Sequence, residues 1–200
     1  MQTYPDLRHC CWVGKCARFL LGARIKMNRK EQISIEQLSS ILVELKFEND
    51  NFITQFNDFS KDVDTGNDKL LEYVIYDLFT DIACFVLALG QKKATKLSQN
   101  YAPNILLRLT TKGYKLNLES FENLYMKRQQ EYYQYLKEYD KEYFRKVDIA
   151  SYTPGLGKAF SANFCGYRNC PLIVKAHIMF VLKLKHFYGK FLKKIVEELE

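Results

Sequence analysis

The chain has 200 residues, 48% of them hydrophobic, with 30 Lys and Arg against 23 Asp and Glu and a formal net charge of +7. That length suits one domain with a true core, burying about 70% of the surface that the unfolded chain exposes. Four prolines and nine glycines are too few for a disordered polymer or a turn-rich β-sandwich, so an all-α fold is expected.

Residues 1–30 carry seven Lys or Arg against Asp6 alone, half the cysteines and the only Trp, with almost no helical phase. This segment is expected to be a basic, Cys-containing arm beside a helical domain over 31–200. It either docks on that domain or binds a partner, or is not native ahead of Met27, where well-patterned sequence begins. The opening MQTYPDLRHCC has no charged n-region leading into an apolar core, which gives a cytoplasmic protein with reduced thiols as the expectation.

The first strong helix signal is SIEQLSSILVELKFENDNFITQFNDFSKDV. Ser34 and Gln37 have capping-box spacing. Leu38, Leu42, Leu45, Asn49, Phe52, Phe56, Phe59 and Val63 follow at steps of four and three, a seam of about four heptads. Asn49, its single polar member, either fixes register or marks a kink. A Phe-rich seam of this kind also fits pairing with a second copy, so a homo-oligomer is one expectation.

DVDTGND breaks the pattern, and a second helix is predicted from about Asp68 to Leu89, with Leu71, Ile75, Leu78, Ile82, Phe85 and Leu89 on one side. It approaches membrane length, but Glu72, Asp77 and Asp81 are each costly at mid-bilayer depth. The expectation is a buried central helix and no transmembrane span. Gly90 and QKKATK end or bend it, a shorter helix spans roughly Pro103 to Thr111, and Gly113 stops that one.

Asn117 is placed to cap the next long helix, which carries Tyr125, Tyr132 and Tyr139 every seven residues beside Phe121, Leu124, Tyr135, Leu136 and Tyr143. Such a stripe either stacks nucleic-acid bases or lines the core edge with its hydroxyls turned to polar partners. Packing is the expectation. A short helix from about Thr153 to Phe164 and a final helix opened by Pro171, with Ile173, Ala176, Phe180, Leu184, Phe187, Phe191 and Ile195 inward, complete the chain. The sum is four long helices and two short ones, arranged as an antiparallel bundle.

Several motifs bear on chemistry. TPGLGKAF fails as a phosphate loop, because Tyr152 and Ala159 stand where a glycine and a Ser or Thr are needed. Lys158 at that helix start remains a candidate anion contact. Cys11 with Cys16 and Cys165 with Cys170 repeat one spacing, and with His177 nearby they form a candidate zinc set. Buried hydrophobic cysteine is the simpler reading.

Glu44 with Glu48 and Asp77 with Asp81 are pairs one helical turn apart, which suits magnesium between two helices. In this the stretch 38–90 loosely resembles all-α nucleotide pyrophosphatases of the MazG and dimeric dUTPase kind. ELKFE and DLFTD depart from the closely spaced E-E-x-x-E and E-x-x-D patterns of those families. The resemblance implies a magnesium-dependent hydrolase, whereas helical phase points Glu44 and Asp77 away from the core and leaves Glu48 and Asp81 at its flank. His9, His177 and His186 are tied to no nucleophile by a recognisable motif.

Charge is segregated. Residues 31–81 hold twelve acids against Lys46, Lys61 and Lys69, and residues 82–117 hold six basic side chains and no acid. Either acidic and basic elements neutralise each other in the fold, or a basic surface is left for an anion. The expected function is therefore a non-enzymatic binding protein without a resident cofactor. Lys92, Lys93, Lys96, Arg108, Lys112 and Lys158 would face nucleic acid or an acidic protein.

Overall fold

A computed structural model of the chain describes residues 33–61, 67–136, 155–166 and 172–183. The elements are α1 (Ile35–Phe47), a 3-10 turn (Glu48–Asp50), α2 (Asn51–Ser60), α3 (Asn67–Thr111), α4 (Leu118–Leu136), α5 (Gly155–Cys165) and α6 (Ile173–Leu182). The fold is all-α, with no strand among the described residues. The arm over 1–30, Val63, Tyr139, Tyr143 and the final helix beyond Lys183 lie outside the described residues.

The helix starts follow from their caps. Ser34 Oγ accepts from Gln37 N at 3.2 Å, and Gln37 Oε1 accepts from Ser34 N at 2.8 Å, so two backbone donors are satisfied reciprocally. Asn117 Oδ1 accepts from Ser120 N at 3.1 Å. At the end of α3, Gly113 N donates to Thr110 O and Tyr114 N to Leu109 O, the paired bonds of a Schellman stop.

The first seam does not form one rod. Asp50 adopts a left-handed conformation (φ 55°) and the 3-10 turn separates α1 from α2. Leu38, Leu42, Leu45, Phe52 and Phe59 are nevertheless all buried, and Phe56 is half-buried. The Phe seam is thus spent inside this chain, packing around Tyr73, whose ring centroid lies 5.3, 5.5 and 5.4 Å from those of Phe52, Phe56 and Phe59.

α3 is two limbs, 67–89 and 91–111. Along a straight helix Phe85 and Tyr101 would stand about 24 Å apart, yet their ring centroids are 5.1 Å apart. The chain turns back at Gly90 (φ 73°, ψ 161°), in a region open in practice only to glycine. The expected short helix from Pro103 is therefore the end of a longer one that begins directly after the turn.

The first limb is the centre of the fold. α3 packs against α1, α2, α4 and α5, α4 also meets α5, and α5 carries α6. Residues 72–81 are all buried, whichever way they point. The apolar stretch within Lys69–Thr111 is long and apolar enough by composition to reach membrane length, but 67% of it is buried by the protein itself. Tyr76 stacks on Phe160 at 4.0 Å, and Tyr132 meets Tyr76 and Phe79 edge-on at 5.8 and 5.3 Å. Burying each such ring stabilises by about 1.5–3 kcal/mol, and each aromatic pair adds about 0.5–1.5 kcal/mol. In the Tyr stripe of α4, Phe121 and Tyr132 are buried and Tyr125 half-buried, so these rings pack the core instead of offering a stacking surface.

Candidate functional site

The interior holds a cluster of charges that balance. Lys46 from α1, Asp77 and Asp81 from the first limb of α3, and Lys183 just past α6 meet with side chains 2–11% exposed. Lys46 Nζ is ion-paired with both carboxylates. Lys183 Nζ donates to Asp77 Oδ1 at 2.6 Å, Asp77 O at 3.0 Å and Thr80 Oγ1 at 2.8 Å, and lies 2.9 Å from Asp81 Oδ1. Tyr101, from the second limb, donates to Asp81 Oδ2 at 2.9 Å. The Lys46 ammonium also sits 5.9 and 5.8 Å from the ring centroids of Phe52 and Tyr101, within cation–π range.

Burial alone would lower the Lys46 pKa, but the facing charges of Asp77 and Asp81 outweigh it and hold the ammonium above its ordinary value. For Asp81 burial acts upward, and Lys183 and Lys46 more than reverse it, leaving the carboxyl below its ordinary range. Burial, reinforced by the two aspartates, raises Tyr73 and Tyr101 well above the usual phenol range, and burial likewise raises the Cys84 thiol. The shifts of Lys46, Asp81, Tyr73, Tyr101 and Cys84 all run away from neutrality, which suits a structural cluster.

This geometry corrects the helical-phase expectation. Asp77 is 1% and Asp81 6% exposed, neither outward-facing nor at a flank. Their neighbours are lysines and not the other acids. Glu44 is on the surface, 3.3 Å from Arg108, and Glu48 is half-buried. The four carboxylates do not converge on one cation, and among the described residues no group of three or more His, Cys, Asp or Glu is placed to hold a metal.

Of the zinc candidates, Cys11, Cys16 and Cys170 lie outside the described residues. Cys165 is disulfide-bonded, and one sulfur cannot serve both as half of a disulfide and as a thiolate ligand. His177 is buried on α6, and desolvation lowers its pKa to about 4. It stands against Gly157, where an added Cβ would lie 3.1 Å from Ile173 O and 3.3 Å from His177 Cβ. The glycine of TPGLGKAF thus lets α5 and α6 approach closely.

The basic candidates divide in two. Arg108 pairs with Glu44, and Lys112 pairs with Asp50 on the turn after α1. The segregated acidic and basic segments therefore neutralise one another in part. A shallow groove of about 270 Å³ runs between α1 and the second limb beside the Arg108–Glu44 pair, with Val43 and Leu107 in its lining. Lys93 is half-buried and engaged. Lys92, Lys96 and Lys158 are exposed. Lys92 and Lys96 lie one turn apart on the outer face of the second limb, behind buried Ala94, Leu97 and Tyr101. Neither makes an ion pair among the described residues, although Lys96 contributes to lowering the Glu36 carboxyl, after the Glu36 backbone and Ser34 hydrogen bonds.

Sequence reasoning missed the partners of the buried acids, Lys46, Lys183 and Tyr101, and Thr80, which accepts from Lys183. It also missed Arg128 on α4, whose Nε donates to both Glu72 oxygens at 3.0 Å. The available signal was a lone lysine in each of two apolar runs, LVELKF and FVLKL, because a buried acid calls for a buried base. In comparisons with protein families, curated proteins and solved structures, nothing matches this chain.

Proposed function

We propose that the chain is a non-enzymatic antiparallel helical bundle that binds an anionic partner, nucleic acid first, through the outer face of the second limb of α3. The observation that carries this reading is the unequal use of charge. Acids at 44, 50, 72, 77 and 81 are each matched by a basic side chain of the fold, whereas Lys92 and Lys96 are left exposed. The six-residue connection between α3 and α4 and the packing of α3 on α4 support the antiparallel arrangement.

Thr95 and Gln99 are exposed beside the two lysines, and neutral hydrogen-bonding groups of this kind contact phosphate and sugar. The only ring on this limb, Tyr101, is buried, so binding through phosphates is expected without base stacking. Arg108 and Lys112 can join by exchanging exposed acid partners, because surface ion pairs are worth about 0–1 kcal/mol.

Fluorescence anisotropy with a labelled 20-base-pair duplex tests this. Binding that weakens steeply as salt rises from about 50 to 200 mM supports it, as counterion release requires. Binding indifferent to salt, or no binding to duplex at low salt, overturns it. A polyglutamate competitor separates the acidic-protein form of the reading from the nucleic-acid form.

A further inference from the structure

Outside the basic face, α6 is held to the bundle in a way of its own. Among the described residues its backbone packs chiefly on α5. Its polar ties to α2 and α3 fall at its two ends, at Lys175 and Ala176 and at Lys183. At one end Lys175 Nζ reaches the Asp58 carbonyl and lies 2.6 Å from Asp58 Oδ2, with the ammonium 5.1 Å from the Phe59 ring centroid. One residue on, Tyr76 Oη donates to Ala176 O at 3.0 Å. At the other end the Lys183 ammonium sits among four oxygens of Asp77, Thr80 and Asp81 at 2.6–3.0 Å.

We propose that α6 is an electrostatic strap, fastened across the central helix by Lys175 and Lys183, which opens as a unit while α1 and the first limb of α3 stay folded. The two fastenings differ in kind. Lys175 and Asp58 are 29% and 46% exposed, so their pair is weak and screened by salt. Lys183 is 11% exposed and meets carboxylates 2% and 7% exposed, out of reach of such screening. Opening leaves Asp77 and Asp81 facing Lys46 alone, with one negative charge in excess, so the closed strap and the balanced interior support each other. Phe180 and Val181, buried in the closed form, would come to the surface.

Hydrogen exchange by mass spectrometry on the full chain tests the strap independently of the proposed binding function. In wild-type protein at low urea, amides of Ala176–Leu182 are expected to exchange through an opening at least tenfold more frequent than that of α1 and residues 71–82, as a separate cooperative unit does. Exchange of α6 only through the same global opening as α1 overturns the strap. D77N/K183M removes the fastening while leaving Asp81 balanced by Lys46. It should speed exchange in α6 about tenfold or more, and because α6 is also open in the global opening through which α1 exchanges, α1 should speed by a similar factor and remain at least tenfold slower than α6. No change in α6, merging of α6 and α1 into one opening, or failure of this charge-balanced variant to fold would each overturn the strap.

Discussion

The Tyr101 hydroxyl donates a 2.9 Å hydrogen bond to Asp81, and this bond joins two limbs of one helix across the turn at Gly90. A side chain on the outward-turned basic limb is thereby anchored in the buried charge cluster, which fixes where the exposed lysines of that limb stand.

Removing that tie should cost stability in proportion. Tyr101→Phe strips a hydrogen bond to a buried charged acceptor and is expected to cost about 1.5–3 kcal/mol in urea denaturation. Gly90→Ala meets no atom within 4 Å at its new Cβ, so its cost is conformational alone, about 1–3 kcal/mol. An unchanged urea midpoint in Gly90→Ala would mean that the chain does not turn there as described.

The charge cluster predicts non-additivity. Lys46→Met leaves two buried aspartates facing Lys183 alone and should cost about 3–5 kcal/mol. Adding Asp81→Asn restores balance between Asp77 and Lys183, and the double variant should regain part of that loss. A double variant at least as destabilised as the sum of the two single variants would show that the four charges do not act as a unit.

How much of this was legible in the sequence depends on what each residue signals locally. The caps at Ser34 and Asn117 were readable because a cap is written in residues three apart. The buried aspartates were not, because helical phase assumes one inward face, whereas the first limb of α3 is surrounded and residues 72–81 are all buried. The break after α1 was legible only as one of two readings of Asn49, which lies in the 3-10 turn, since the heptad spacing runs through that turn without losing its step and nothing marks Asp50 as left-handed. The basic face was visible as a run of lysines, but which members were already paired depended on α1, across the fold.

Close packing of α5 on α6 gives a third prediction. Gly157→Ala forces a methyl within 3.1 Å of Ile173 O and 3.3 Å of His177 Cβ, overpacking that should cost about 1–3 kcal/mol. Thermal melts would register it as a lower midpoint.

The pH dependence of stability should resolve two windows. His177 has its folded pKa depressed to about 4 from an ordinary 6.5. Its contribution is fully present above pH 6.5 and is lost as pH falls toward 4, to a limit of about 3 kcal/mol. Asp81 is also depressed, from an ordinary 3.8, so its contribution is present above that value and is lost only below it. Urea midpoints measured from pH 7 to pH 3 should therefore fall first with His177. His177→Gln should flatten the curve between pH 6.5 and 4 and leave the drop below pH 4.

The central claim is that Lys92 and Lys96 face a polyanion, and duplex binding by Lys92→Glu/Lys96→Glu across a salt titration tests it most directly. The variant breaks no ion pair among the described residues and alters only the exposed Lys96–Glu36 interaction, so it should melt near the wild-type temperature. It should bind at least tenfold more weakly, with a log–log salt slope shallower by about 2, one phosphate contact for each lysine. A folded variant with wild-type affinity and wild-type slope would contradict the account.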